Sequence, residues 1–270
     1  MTAMPGAQRC ASFLRAALPA QAKAVASYPL DGQTVWLKKA PPITPPWRYA
    51  LLGLIARLLR LDVLQPVTNP GGAAAIAQEA RRLRELAALG LRVPAVLAAQ
   101  GDALLLADVG SDPARPTRML AREIETLLPV QSTEAVALWR QGLEGIALVH
   151  ARGTYLSQAF ARNLVRCADG AIAYLDFEDD PGATLSLTEC QARDWLCYVH
   201  STALLLQTHG ATASARPQWH AVLQAHASAP VRAALRDTVR RLAWMRHLPA
   251  GRVWGRDTQC LRAAARFLAP

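Results

Sequence analysis

The sequence predicts an α+β fold in two parts: a small β-rich N-terminal part, then a mainly helical one. Short alternating apolar runs around turn dipeptides gather before residue 110. A linker rich in Gly, Pro and Asp follows at Asp108–Pro116. Beyond it strong helix formers dominate, broken by one strand–turn–strand signal between Asn163 and Asp176. The chain therefore divides, on sequence, into 1–110 and 111–270.

Each element has a local reason. Lys23–Leu30 and Gln33–Lys39 flank Asp31-Gly32, a dipeptide suited to a two-residue hairpin turn. Pro41, Pro42, Pro45 and Pro46 then forbid either regular structure. Tyr49–Leu61 is an apolar helix carrying Arg57 and Arg60, and Pro66–Gly72 is a loop. Ala73–Leu89 is rich in helix formers and ends at Gly90, a suitable C-terminal cap. Val93–Ala98 and Ala103–Ala107 are strands around Gly101-Asp102. Helices are expected at Thr117–Leu127, Thr133–Arg152 and Leu187–Gln207, with further helical segments from Trp219 to Leu268. Ser186 and Glu189 have capping-box spacing. No internal repeat is present.

At 270 residues, 52% hydrophobic and 19% charged, the chain can bury a substantial core. Its net charge of +10 is carried almost wholly by Arg, the only lysines being Lys23, Lys38 and Lys39. That balance suits an anionic partner, but no helix-turn-helix, zinc finger or RNP-type strand points to specific nucleic-acid binding. The longest apolar stretch, Tyr49–Leu61, is too short for a membrane span, which needs ~20 residues. With Arg57 and Arg60 it fits a helix packed on the first part, or one meeting an anionic membrane surface. The N-terminus lacks an apolar signal-peptide core. Five cysteines without a C-x-x-C pair read as reduced thiols, so the expected location is the cytoplasm, with peripheral attachment to the inner membrane as an option.

Several residues point to phosphate chemistry. Lys38, in VWLKK, ends a strand, where a lysine can hold nucleotide phosphates if a helix carboxylate steadies it. Glu79 is the favoured partner and Glu85 the competitor. Asn163 and Asp176 stand at the two ends of the hairpin signal, and their oxygens suit Mg²⁺. Singly each has a plain alternative: a solvated lysine pair, a loop-ending Asn, an acidic strand end.

Together, VWLKK (35–39), EARRLRELAALGLRVP (79–94), LLLADVG (104–110), LVHARG (148–153), ARNLV (161–165) and YLDFEDDP (174–181) resemble the protein-kinase-like superfamily. The similarity is strongest to its bacterial lipopolysaccharide-kinase-like branch and covers about residues 20 to 200. It implies a two-lobed kinase-like fold that uses ATP and Mg²⁺. It implies Lys38 and Glu79 as the ion pair, Asp108 in the hinge and Asn163 with Asp176 as metal ligands. Asp194 resembles the helix Asp that braces the catalytic loop. Three departures stand out. Ala16–Ala24, where a glycine-rich phosphate loop belongs, has no Gly. No A-P-E follows Asp176, which suits a small-molecule or glycolipid acceptor rather than a protein. Gln158 stands five residues before Asn163, where kinases carry the catalytic Asp. Glu178, Asp179 and Asp180 are either substitutes for that base or acidic turn residues. The expected function is phosphoryl transfer to a sugar or lipopolysaccharide-type hydroxyl. The alternative is an inactive pseudokinase that binds nucleotide or acts as a scaffold.

Overall fold

The computed structural model describes residues 6–43, 63, 71–110, 117–249 and 251–269, with only the backbone of Arg252. The helix expected at Tyr49–Leu61 lies outside the described residues. In chain order the first elements are α1 (Ala7–Ala17), β1 (Val25–Leu30), β2 (Gln33–Lys39), α2 (Gly72–Ala88), β3 (Val96–Gln100) and β4 (Ala103–Ala107). There follow β5 (Arg118–Met119), α3 (Leu120–Leu127), α4 (Ser132–Ala151), β6 (Leu164–Arg166), β7 (Ile172–Tyr174) and α5 (Leu187–Thr208). Three helices complete the described chain: α6 (Thr212–His226), α7 (Ala229–Leu242) and α8 (Gly255–Leu268). The fold is α+β, with a small antiparallel sheet and a mostly helical remainder.

The chain forms two compact units. The first comprises Met1–Ala50, Val67–Thr117 and Cys167–Asp180, and the second Leu51–Pro66, Arg118–Arg166 and Pro181–Pro270. The segment Cys167–Asp180, well beyond the linker in sequence, thus groups with the first unit.

In the first unit the sheet order is β1-β2-β4-β3, antiparallel throughout. Asp31 (φ 51°) and Gly32 (φ 76°) both take positive φ, the requirement of the tight turn whose twist matches its strands. Side chains alternate across β2, so Val35 and Leu37 turn to one side and Trp36 and Lys38 to the other. Val35 and Leu37 are fully buried with Leu105 and with Cys10 and Leu14 of α1. On α2, Ile76, Glu79, Ala80, Leu83 and Leu86 recur at helical spacing and form its buried stripe. Gly90 (φ 74°) stops that helix, while Leu91 N–H bonds back to Leu86 O and Gly90 N–H to Ala87 O. Strand β3 begins at Val96, not Val93, because Pro94 has no N–H to give a ladder.

The second unit is built on α4 and α5. Trp139 Nε1 donates to Thr202 Oγ1 (2.9 Å), and the Tyr198 hydroxyl donates to Trp139 O (2.8 Å). Gly142 leaves the space: a Cβ there would collide with the Tyr198 hydroxyl and Leu120. The expected capping box forms at the start of α5, with Ser186 and Glu189 satisfying each other's backbone N–H. Two expectations are corrected. The helix read from Thr117 starts only at Leu120, since Arg118 and Met119 pair with Arg166 and Val165 as β5. Helix α6 starts at Thr212 and contains Pro217, the breaker that hid its first turns in the sequence. Among the described residues no helix is long and apolar enough to cross a membrane.

Candidate functional site

Lys38 sits at the centre of a charged cluster in the first unit. Its Nζ lies 2.8 Å from Glu79 Oε2, 3.0 Å from Asp176 Oδ1 and 2.7 Å from Glu178 Oε1. An ammonium has three N–H donors, so three carboxylates saturate it. Burial falls off across the cluster: the Glu79 side chain is 2% exposed, Lys38 13%, Glu178 19% and Asp176 34%. Charge does not balance, for three acids surround one base.

Each residue is placed by an element already described. β2 alternation puts Lys38 opposite the α1-covered face, and Glu79 comes from the buried stripe of α2. Tyr174 N–H donates to Arg92 O (3.0 Å), which anchors the end of β7 within this unit. Phe177, 1% exposed, plugs the chain just after Asp176, and its N–H points at Glu79 Oε1 (3.5 Å). Asp176 itself has φ 70°. That left-handed conformation is uncommon for a residue with a side chain and concentrates at functional positions.

Burial by itself pushes the Lys38 ammonium down, but Glu79, Asp176 and Glu178 outweigh it and leave it raised well above the ordinary lysine range. Burial raises the Glu79 carboxyl, Lys38 pulls it back, and the other two carboxylates add to the rise. The site thus favours one fixed cation amid crowded acids.

Glu85, the competing carboxylate, pairs instead with Arg81 (2.5 Å) and Arg82 (3.0 Å) on its own helix. Asp108 accepts from Trp36 Nε1 through one oxygen (2.7 Å) and from Gly110 N–H through the other (2.9 Å). Sequence reasoning gave Glu178 no specific partner. Asp180, grouped with it in the sequence, is held by Arg81 at 2.9 Å.

Asn163 and Gln158 belong to the second unit. Asn163 is buried, and its amide donates to the backbone oxygen of Gln158 (3.1 Å). Gln158 is half-buried. In the same unit the fully buried Asp194 Oδ2 accepts from Leu156 N–H (2.8 Å) and meets His150 Nε2 at 3.0 Å. Asp194 therefore braces the loop that leads to Gln158.

Comparison with protein-family models and with curated protein sequences finds no match.

For a divalent cation the donors fit in kind, being carboxylate oxygens in excess of the positive charge. At present they converge on Lys38. Among the described residues no three His, Cys, Asp or Glu side chains stand ready as a metal cage.

Proposed function

We infer that this chain is a kinase-like phosphotransferase using ATP and Mg²⁺, with a sugar or lipopolysaccharide-type hydroxyl as acceptor. What carries the inference is the Lys38–Glu79 ion pair, 2.8 Å long and almost wholly buried, joined by the strained Asp176. A strand lysine, a helix glutamate and a downstream aspartate follow one another in the order protein kinases use. A two-lobed kinase-like arrangement and a cytoplasmic location go with it.

In this reading Lys38 holds phosphate oxygens and Glu79 keeps it aimed. Asp176 and Glu178 hold the cation, with Asn163 as the expected further ligand. Bound Mg²⁺ would neutralise phosphate charge during transfer. Saturation of Lys38 adds a requirement: phosphate must displace a carboxylate from it. A divalent cation that draws Asp176 or Glu178 away leaves an ammonium N–H for phosphate. Metal and nucleotide binding are thereby coupled.

A second reading, a pseudokinase that binds nucleotide or serves as a scaffold, is favoured by Gln158. Its amide can orient a hydroxyl but cannot accept the proton, and loss of a general base costs ~10²–10⁴ in rate. The absent glycine loop adds weight, because residues 18–24, between helix α1 and β1, contain no glycine to bring backbone N–H groups close to phosphate.

Thermal unfolding with ATP, with and without Mg²⁺, tests the inference. ATP at ~100 Kd stabilises the folded chain by ~2.7 kcal/mol, and the shift is expected only with metal. No shift under either condition removes nucleotide binding altogether. ATP turnover by wild type and Asp176→Ala separates the two readings: equal background rates leave the pseudokinase.

A further inference from the structure

The net charge of this chain is not spread evenly. Residues 209–270 contain ten arginines against two aspartates, so they hold +8 of the total +10. The rest of the chain is nearly neutral. In the second unit, a cavity of about 620 Å³ opens among α6, α7 and α8. Leu223, Leu235, Val239, Ala265 and Leu268 give it an apolar lining. Arg232, Arg236 and Arg240, spaced by four along α7, line it as well, together with Arg246. Past Val239, Ala265 and Leu268 a second cavity of about 260 Å³ continues, lined by Leu196, Leu242 and Met245. Trp244, between two residues of the first cavity's wall, is 51% exposed. Val253 and Trp254, in the turn that opens α8, are 96% and 63% exposed.

We propose that this C-terminal face docks on an anionic membrane surface, taking the acyl chain of an anionic phospholipid into the groove while the arginines hold its head group. Neither half of the surface is explained alone. Free phosphate or a nucleic-acid backbone would use the arginines and leave the apolar trough without purpose. A neutral apolar ligand would leave the arginines clustered, with Asp237, 2.8 Å from Arg240, the one carboxylate paired with them among the described residues. An amphiphile with an anionic head satisfies both. Exposed tryptophans beside cationic side chains match the boundary between head groups and hydrocarbon. The groove's size falls within the range of small-ligand sites. The proposal rests on α6, α7, α8 and the chain between α7 and α8, and is independent of the Lys38 cluster.

Co-sedimentation of the full chain with phosphatidylcholine vesicles, with and without phosphatidylglycerol, reads the docking. Binding is expected only with the anionic lipid and should weaken as salt rises. Arg236→Gln/Arg240→Gln, at exposed helix positions, should weaken it by ~25-fold, about fivefold per charge removed. Trp244→Ser should weaken it at low and high salt alike. Circular dichroism shows whether each variant remains folded. Lysophosphatidylglycerol should compete with the vesicles, and glycerol phosphate should not. Equal binding to neutral vesicles, equal competition by glycerol phosphate, or an oligonucleotide retained by this face in preference to vesicles would each overturn the proposal.

Discussion

Two buried polar clusters, one in each unit, look alike in composition and differ in what they are built for. The cluster around Asp194 is shut off from solvent. Its carboxylate is fully buried and meets His150 and a backbone N–H. The His150 ring lies edge-on to Trp195 at 5.3 Å, and Gln191 Nε2 ties the loop through Thr154 O (3.0 Å). Around Lys38 the account is left open. Three carboxylates share one ammonium, two of them reach solvent, and one sits on a left-handed backbone. A network sealed from solvent, in which one Asp194 oxygen takes both the loop N–H and His150, fixes a loop in place. An overcrowded network with exposed members is positioned to exchange partners, as a ligand site must.

That contrast breaks first at Asp194, where the largest effect is expected. Asp194→Ala leaves the Leu156 N–H without its acceptor and His150 without its partner. A loss of about 3 kcal/mol in urea unfolding follows from removing one member of a buried polar pair. A change under 1 kcal/mol would mean that this cluster is not structural scaffolding. At Lys38 the expected loss is smaller, about 2 kcal/mol at pH 7 for Lys38→Met, because Glu79 can take up a proton when its counter-ion goes. The pH dependence gives the sign. Lys38 has a raised folded-state value, so its contribution is complete below 10.5 and is lost as pH rises through that raised value. Wild type should therefore lose stability more steeply than Lys38→Met above pH 10.5. Glu79, also raised, acts in the same direction but in a lower pH range, its contribution complete below 4.5. It disfavours the folded state progressively as pH rises above 4.5 and the carboxyl ionises. With Lys38 gone that penalty grows, so Lys38→Met should lie closer to wild type at pH 5 than at pH 7. Parallel stability curves would show that the ion pair carries no folding energy.

How far the sequence reaches follows from the same residues. The α+β class was legible because hairpin dipeptides, a glycine stop and a capping box act locally. Asp31-Gly32, Gly90 and Ser186 with Glu189 do in the structure what their types dictate. Lys38 and Glu79 were legible as a pair through the resemblance to kinases, which set a strand lysine against a helix glutamate; strand alternation and the buried stripe of α2 are what bring them together. Strand β5 was not legible, since two residues carry no period, and Arg118 and Met119 become a strand only through pairing with β6. Glu178 escaped for a related reason. Nothing local tells an acidic turn residue from one aimed at a lysine far away in sequence; the backbone at Asp176 decides it, and its φ of 70° is not written in any spacing.

Glu178 therefore offers the finest comparison between the clusters, with the smallest change in stability. Glu178→Gln removes one of three competing charges while keeping the side chain's volume, so unfolding free energy should move by no more than about 1 kcal/mol in either direction. Its consequence lies in binding. With the third carboxylate neutral, an ammonium N–H of Lys38 is held less tightly and phosphate can reach it without help from metal. ATP should then raise the melting temperature of Glu178→Gln in the absence of Mg²⁺, where it leaves wild type unmoved. If both proteins respond equally without metal, Glu178 is a bystander and the coupling between cation and nucleotide fails. If Glu178→Gln responds only with metal, as wild type is expected to, Asp176 alone gates Lys38, and the open cluster is narrower than its three carboxylates suggest.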